Sequence, residues 1–271
     1  MTPPPDVVAG VTVPYRVRFD ECGADGIVRT SSLLRYAQDV AWIHSELLGF
    51  DRDWYTSRGL AWVVRAAELG IEAPVPLGAT LAVTTRISGF RKVWARRRTE
   101  AFLPDSSLAM WGHTDWVMTD HRGMPGRVPP EFPAVFTIPP PSFEPGRVPL
   151  PPTPRDASVT QTPVRPQDVD PMGHVNNAAY VDYLEEAVTA AGEGANAAIG
   201  AVPRRVRIEY VQAAVPGATL SGAAWRMDEP AGETGWAWRL SDGDGGPDVT
   251  RARILTGAVR TVASGTGTSG P

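Results

Sequence analysis

The sequence lacks several features by which classes of protein are recognised. Cys22 is the only cysteine in 271 residues, which excludes an internal disulfide and a cysteine-rich metal site. No apolar run approaches the roughly 20 residues that cross a bilayer, and residues 1–10 have neither the basic start nor the apolar core of a secretion signal. We therefore expect a soluble, cytoplasmic protein with no membrane partner, no metal and no cofactor.

Positive charge is also scarce. Lys92 is the only lysine, and the 26 basic residues are outnumbered by 30 acidic ones, which gives a net charge of −4. This balance argues against nucleic acid as a partner. By contrast, 42% of the residues are apolar, and a chain of 271 residues can bury a large core and form two domains of ordinary size.

A proline-dense segment divides the chain into two stretches with the same order of signals. Its composition suits an extended, semi-rigid connection rather than packed structure. Both ends of the chain are rich in small and turn-forming residues and are expected to be loose. We predict an N-terminal repeat at 13–137, a linker at 138–157, a C-terminal repeat at 158–263, and flexible tails at 1–12 and 264–271.

Each stretch begins with a strand, a turn and a long amphipathic helix. The strands are predicted at 15–19 and 160–165 and the turns at 20–27 and 168–176. The helices are predicted to start at Ser31 or Ser32, as N-cap, and near Ala178. Three pairs then fall in register, which indicates an internal duplication. The pairs are Arg18 with Arg165, Gly26 with Gly173, and Tyr36 with Tyr183.

Several β-rich runs follow each helix. Because one helix can cover only one face of a sheet, they predict an α+β fold of two repeats, each with a long central helix wrapped by an antiparallel sheet. The runs are 60–71, 80–89, 93–102 and 108–119 in the first repeat and 204–210, 219–227, 235–240 and 251–262 in the second.

The second turn concentrates the side chains that can do chemistry. Asp168, Asp170, His174, Asn176 and Asn177 lie on a Pro-Gly turn that leads into the helix. A helix start offers unpaired N–H groups and a partial positive charge. An acid placed just before it can act on a carbonyl whose oxygen those groups hold.

This motif resembles the signature of the hotdog-fold thioesterases, in particular the double-hotdog acyl-ACP thioesterases of the plant FatA and FatB type and their bacterial relatives. The resemblance covers most of residues 13–263 and implies a tandem hotdog fold. It further implies a cytoplasmic enzyme that hydrolyses the thioester between a fatty acyl chain and a carrier. The family's catalytic Asp and His fall on Asp170 and His174, but its catalytic Asn falls on Met172. A later Glu-Cys pair falls near Ala213 and Ala214.

The same turn also resembles that of 4-hydroxybenzoyl-CoA thioesterases, in which Asp-Pro-x-Gly supplies one essential carboxylate. That pattern matches Asp170 to Gly173 and places the carbonyl-polarising backbone N–H at Asn177. It needs neither the Asn nor the Cys of the plant enzymes. The residues themselves agree: one acid, Asp170, serves as general base or nucleophile, and helix N–H groups hold the developing oxyanion.

Each of these residues also has a structural interpretation. Asp170 and Asp168 are good turn residues, His174 can be a structural imidazole, and Asn176 and Asn177 are good helix N-caps. We select Asp170, His174, Asn176 and Asn177 as the catalytic set, with the backbone N–H as the functional part of the two asparagines.

The first repeat is expected to carry a degenerate site. Gly23 stands in the place of Asp170, Ile27 in that of His174 and Thr30 in that of Asn177. One active site per chain is therefore predicted, formed by the second repeat with walls from the first. Cys22 lies in the degenerate turn, has no activating neighbour in sequence, and is expected to be a plain thiol.

Arginines cluster on one predicted strand, at Arg96, Arg97 and Arg98. Alternation places Arg96 and Arg98 on one face, where they could attract an acidic carrier or CoA phosphates or could form a solvated strand face. Most of the nine tryptophans lie in the first repeat, where they suit either an acyl pocket or ordinary core packing.

The sequence thus predicts an acyl thioester hydrolase with acyl-ACP as the preferred substrate. The alternatives are an acyl-CoA thioesterase, a non-catalytic acyl-binding hotdog protein and, less favoured, a dehydratase on the same fold. The carrier partner is acyl carrier protein or CoA. A homodimer that pairs edge strands is a further arrangement that the sequence allows.

Overall fold

One continuous antiparallel sheet runs through the molecule. The computed structural model describes residues 3–136, 141–228 and 234–257, and ten strands of these ranges form the sheet. The strands are β1 (Val11–Arg16), β2 (Ala61–Ile71), β3 (Thr80–Arg91), β4 (Trp94–Phe102), β5 (Leu108–Thr119), β6 (Ser158–Pro163), β7 (Arg204–Tyr210), β8 (Thr219–Asp228), β9 (Thr234–Ser241) and β10 (Asp248–Thr256).

The strand order shows the duplication directly. Along the sheet it is β1-β3-β4-β5-β2-β7-β10-β9-β8-β6. From either edge, a repeat contributes its first, third, fourth, fifth and second strand in turn. The two repeats meet at the middle of the sheet, where β2 pairs with β7 and Ala66 lies opposite Glu209.

Two long helices cover the inner face of the sheet, one in each repeat. They bury apolar residues such as Leu33 and Val40 in the first and Tyr183 and Leu184 in the second. Between the helices, Arg35 and Asp182 form an ion pair at 2.9 Å. The predicted α+β tandem hotdog is therefore confirmed. The helices are α1 (Pro5–Ala9), α2 (Thr30–Leu47), α3 (Arg52–Thr56), α4 (Glu131–Ala134), α5 (Ala179–Ala190) and α6 (Glu193–Gly200).

The segment predicted as a linker crosses the opposite face of the sheet. Its described part, 141–157, forms no helix or strand. The Gly146 N–H donates to Asp115 (2.6 Å) and the Val148 N–H donates to Glu209 (2.9 Å). Farther along, Arg239 donates to the Pro151 carbonyl (3.1 Å). The segment is extended as expected, but it is packed against the sheet, because these strand side chains satisfy its backbone donors and acceptors.

Local details differ from the sequence predictions. The expectation of a loose tail at 1–12 is wrong for residues 5–12, which contain α1 and the start of β1. Helix α2 begins at Thr30, so neither Ser31 nor Ser32 is its N-cap; both lie buried in its first turn. The first strand of each repeat ends earlier than predicted, and a 3-10 turn follows it. The tail predicted at 264–271 lies outside the described residues.

Candidate active site

The turn before α5 is held in a closed loop by its own backbone. The Asp170 N–H donates to the His174 carbonyl (2.8 Å), and the Gly173 N–H donates to the Asp170 carbonyl (2.9 Å). Gly173 has a φ of 76°, a left-handed conformation that favours glycine. The loop therefore fixes Asp170 and His174 together just ahead of the helix.

Asp168 anchors this loop to the protein interior. Its side chain is only 7% exposed and accepts hydrogen bonds from the Arg165 N–H (2.9 Å), the Arg165 guanidinium (3.0 Å) and the Tyr183 hydroxyl (2.7 Å). Burial alone would raise the pKa of this carboxyl, but the hydrogen bonds from Arg165 and Tyr183 outweigh it and hold the pKa below its usual value. Asp168 is thus the structural acid of the turn.

Asp170 presents its carboxylate differently. The residue is half-buried, and its Oδ1 accepts the Met172 N–H at 2.8 Å. Within the described residues this is the only hydrogen bond to the side chain, so Oδ2 is open to a water or a substrate. One oriented oxygen and one open oxygen suit a general base or a nucleophile.

The two asparagines have separate places. The Asn176 Oδ1 accepts the Ala178 N–H at 2.9 Å, which makes its side chain part of the framework ahead of α5. The Asn177 carbonyl accepts the Tyr210 hydroxyl at 3.0 Å. Among the described residues, no acceptor pairs with the Asn177 N–H. This N–H remains available beside the start of α5, where the helix dipole adds partial positive charge.

A cleft of about 570 Å³, including its open mouth, lies over the turn. Asp170, His174 and Asn177 line it, whereas Asn176 does not. Met172 stands at its rim, 58% exposed. Both repeats supply walls, because strand β2 of the first repeat runs alongside the second. The remaining lining residues are Trp62, Val63, Val64, Arg65, Val175, Tyr180, Tyr210, Gln212 and Ala213.

Sequence reasoning missed two polar residues of this cleft. The Tyr180 hydroxyl accepts the Ala214 N–H at 2.9 Å, and its own hydrogen has no acceptor among the described residues. Burial raises the pKa of Tyr180, so it stays a neutral donor. Arg65 reaches across from β2 and donates to the Val211 carbonyl at 2.7 Å. Tyr180 lies three residues after Asn177, the spacing of one helix face, and this was the signal that could have found it.

The first repeat has the same turn without the same side chains. Its Gly23 N–H donates to the Ile27 carbonyl at 2.9 Å, and Gly26 has a φ of 74°. Glu21 occupies the position that matches Asp168, and its carboxylate accepts hydrogen bonds from Arg18 and Tyr36. The framework is thus duplicated, and the cleft residues are not. In the same register, Gly23, Ile27, Thr30 and Leu33 stand where the second repeat has Asp170, His174, Asn177 and Tyr180.

The positions that match the other polar residues of the plant-type thioesterases have no polar side chain in this protein. Ala213 lines the cleft as an apolar wall, and Ala214 contributes only its backbone. Cys22 is buried, and burial raises the pKa of its thiol. Across the part of the chain that the structure describes, no group of three or more His, Cys, Asp or Glu side chains could hold a metal ion.

The predicted arginine cluster is divided between the two faces of β4. Arg96 pairs with Asp115 (2.6 Å), and Arg98 pairs with Glu100 (3.1 Å), on the face away from the helices. Arg97 points inward and is buried. The outer arginines therefore form ion pairs on the sheet rather than a free cationic patch. Within the described ranges no helix is long and apolar enough to cross a membrane.

Comparison with known proteins agrees with this fold. Residues 11–136 match the acyl-ACP thioesterase N-terminal domain, and residues 164–222 match the thioesterase-like superfamily. The chain is similar to a Lactobacillus plantarum protein described as an oleoyl thioesterase, at 20% identity, with 92% of this chain and 96% of that one covered and a TM-score of 0.76. A comparison with curated proteins gives no match.

Two further solved structures share the fold. An acyl-ACP thioesterase from Bacteroides thetaiotaomicron is 16% identical, with 91% of this chain and 97% of that one covered and a TM-score of 0.73. The 12:0-ACP thioesterase from Umbellularia californica is 17% identical, with 91% and 93% covered and a TM-score of 0.74.

Fold and family matches together define the class as thioester hydrolases of the hotdog fold. Within that class, residues 11–136 of the first repeat match the acyl-ACP thioesterase N-terminal domain, and the fold of the whole chain is shared with solved acyl-ACP thioesterases. The resemblance seen in the sequence is confirmed, as is the prediction of an enzyme. Fatty acyl thioesters are the substrate class that these matches support.

Proposed function

We propose that the chain hydrolyses fatty acyl thioesters at Asp170, in the C-terminal repeat (158–263), and that acyl-ACP is its preferred substrate. The observation that carries the proposal is the contrast between the two turns. Their backbones are held alike, but only the second turn has an acid at the position of Asp170, where the first has Gly23, and Asp170 faces a cleft. One active site per chain follows, with the first repeat as a wall.

In this mechanism the thioester carbonyl oxygen accepts the Asn177 N–H. Negative charge that develops on this oxygen lies beside the positive end of α5. One such donor typically lowers the barrier by about 2.7–4 kcal/mol. Asp170 either removes a proton from a water that attacks the carbonyl carbon, or attacks the carbon directly and forms an anhydride that a water then hydrolyses after the thiol has left. The carbon–sulfur bond then breaks, the carrier thiol takes a proton, and the free acid is released.

The other predicted residues have supporting roles in this proposal. His174 is exposed and lines the cleft, where it can contact the thioester or the arm of the carrier. Asn176 acts as a positioning residue, because its side chain fixes the backbone that presents the Asn177 N–H. His174 and Asn177 therefore contact the substrate, and Asn176 works through its neighbour.

Tyr180→Phe removes a hydroxyl donor that faces the substrate in the cleft, and it should lower kcat for acyl thioester hydrolysis by about fivefold and leave the fold intact. The loss of one neutral hydrogen bond to the substrate corresponds to about 1 kcal/mol. The measurement is kcat and KM for an octanoyl thioester, together with the thermal midpoint. Leu33→Phe, at the matching position of the first repeat, is the control. An unchanged kcat in Tyr180→Phe would remove Tyr180 from the mechanism.

The carrier preference is tested by matched substrates. The support for ACP is the match of the first repeat and the ACP substrates that the Bacteroides and Umbellularia enzymes' names state. We expect kcat/KM for octanoyl-ACP to exceed that for octanoyl-CoA by at least about tenfold, since a protein carrier adds contacts worth more than ~1.4 kcal/mol. Equal values would favour the acyl-CoA alternative and leave the hydrolase proposal standing.

A further inference from the structure

Within the described ranges, one buried arginine of the first repeat has no acidic partner. Arg97, on the inner face of β4, is 6% exposed. Its Nη1 donates to the His44 Nδ1 at 2.8 Å. Among the described residues it takes part in no ion pair, and its other N–H groups have no acceptor. Burial lowers the pKa of Arg97 to about 10, so the guanidinium keeps its charge at neutral pH.

His44 does not supply the missing charge. This imidazole is fully buried, and its Nε2 donates to the Val7 carbonyl at 2.7 Å. Its Nδ1 must then accept from Arg97, which requires the neutral form. Burial and the charge of Arg97 lower the pKa of His44 to about 4, in agreement with that form. The pair therefore carries one uncompensated positive charge.

The polar surroundings of Arg97 are consistent with a ligand site. Thr114 lies directly opposite on β5, is nearly buried, and has a hydroxyl without a hydrogen-bond partner in the described chain. Thr85 and Thr99 are also buried in this part of the sheet, but the Thr85 hydroxyl donates to the Arg98 carbonyl and the Thr99 hydroxyl donates to Thr85, so of these threonines Thr114 alone is left to bind a ligand beside Arg97. Buried charge is costly unless an opposite charge pairs with it. The arrangement thus lacks an anion.

Contacts connect Arg97 to the cleft. Trp62 lines the cleft and donates from Nε1 to the Tyr55 hydroxyl at 3.2 Å. Tyr55 in turn is close enough to Arg97 to interact with its charge. Strand β5 separates β4 from the cleft strand β2, and Arg97 lies two residues along β4 from Ala95, which is in register with Val64 of the cleft wall. The Cα atoms of Arg97 and Val64 are therefore roughly 12 Å apart. That span suits an acyl chain of medium length.

We propose that Arg97 and Thr114 bind a carboxylate at the far end of the acyl chain, so that the enzyme takes monothioesters of medium-chain dicarboxylic acids. The inference rests on the proposed function, which places the thioester at Asp170. The aromatic residues between the two ends, Trp62 and Tyr55, contact the methylene chain. The distal carboxylate supplies the charge that the first repeat lacks.

Paired substrates of equal length test this specificity. We expect wild-type kcat/KM for suberoyl-CoA and sebacoyl-CoA to exceed that for octanoyl-CoA and decanoyl-CoA by about tenfold or more. Arg97→Met should lower the diacid values by about 100-fold, as the loss of one partner of a buried charge pair does. It should leave the plain acyl values within a fewfold. Arg97→Lys should retain part of the diacid preference.

Arg98→Met is the matched control, because Arg98 is the next residue on β4 and faces away from the interior. It should leave the ratio of diacid to plain acyl hydrolysis unchanged. A wild-type preference for octanoyl and decanoyl thioesters, or an unchanged ratio in Arg97→Met, would overturn the proposal.

A binding measurement separates this proposal from the catalytic one. Free suberate and sebacate should raise the thermal midpoint of wild-type protein more than octanoate and decanoate do, whether or not any thioester is hydrolysed. This comparison needs no variant to fold. If no substrate is turned over and suberate still stabilises, only the catalytic proposal fails. If sodium chloride at equal ionic strength stabilises as much as suberate, the site binds a simple anion and the substrate assignment is wrong.

Discussion

Asp170→Asn is expected to reduce kcat/KM for acyl thioester hydrolysis by about 10³-fold or more, the scale on which positioned acids and bases act. The amide has the shape of the carboxylate, and its oxygen can still accept the Met172 N–H that orients Asp170. The loop should therefore keep its geometry. The measurement is release of free thiol from octanoyl-ACP, with circular dichroism to confirm the fold.

Asp25→Asn is the control for this variant. Asp25 lies in the matching turn of the first repeat and accepts the Ile27 N–H at 2.9 Å. A substitution there alters a turn acid without touching the cleft, so activity should be unchanged. If Asp170→Asn kept wild-type activity, Asp170 would be a turn residue and the reaction would need another origin.

Asp168→Ala is expected to destabilise the protein by about 3 kcal/mol, because it leaves the buried Tyr183 hydroxyl and the Arg165 N–H without their acceptor. The turn also contacts Asp168 through its backbone, since the Asn176 N–H donates to the Asp168 carbonyl at 2.8 Å. Activity should therefore fall together with stability. Urea unfolding gives the free energy, and the same samples give kcat.

Glu21→Ala in the first repeat is the matched variant. Glu21 accepts from the Arg18 N–H at 2.8 Å and from Tyr36, as Asp168 does from Arg165 and Tyr183. Glu21→Ala should lower the free energy of unfolding by a similar amount but leave kcat of the folded protein nearly unchanged. A stable Asp168→Ala protein without activity would instead place Asp168 in the chemistry.

The sequence was sufficient to predict the duplication and the turn that faces the cleft. The same sequence offset relates Tyr36 to Tyr183 and Gly26 to Gly173. The structure places the members of each pair at equivalent points of two similar turns. Strand alternation also separated Arg97 from its neighbours on β4. These predictions succeeded because they depend on local periodicity and turn chemistry, which neighbouring residues determine.

The sequence was insufficient where distant segments meet. Arg65 enters the cleft from the other repeat, and the linker packs through Asp115 and Glu209, which lie far from it in sequence. Helix α1 was missed because its five residues contain no apolar periodicity, and it is held instead by contacts such as that of Val7 with His44. Tertiary contact, not local preference, decides each of these features.

The placement of the thioester between Asp170 and the Asn177 N–H can be observed in a crystal structure with a non-hydrolysable acyl-pantetheine, in which a ketone replaces the thioester. We expect the ketone oxygen to lie within about 3 Å of the Asn177 nitrogen and the carbonyl carbon to face Asp170. Binding of the ketone at the turn of Gly23, or with the carbonyl turned away from Asp170, would contradict it.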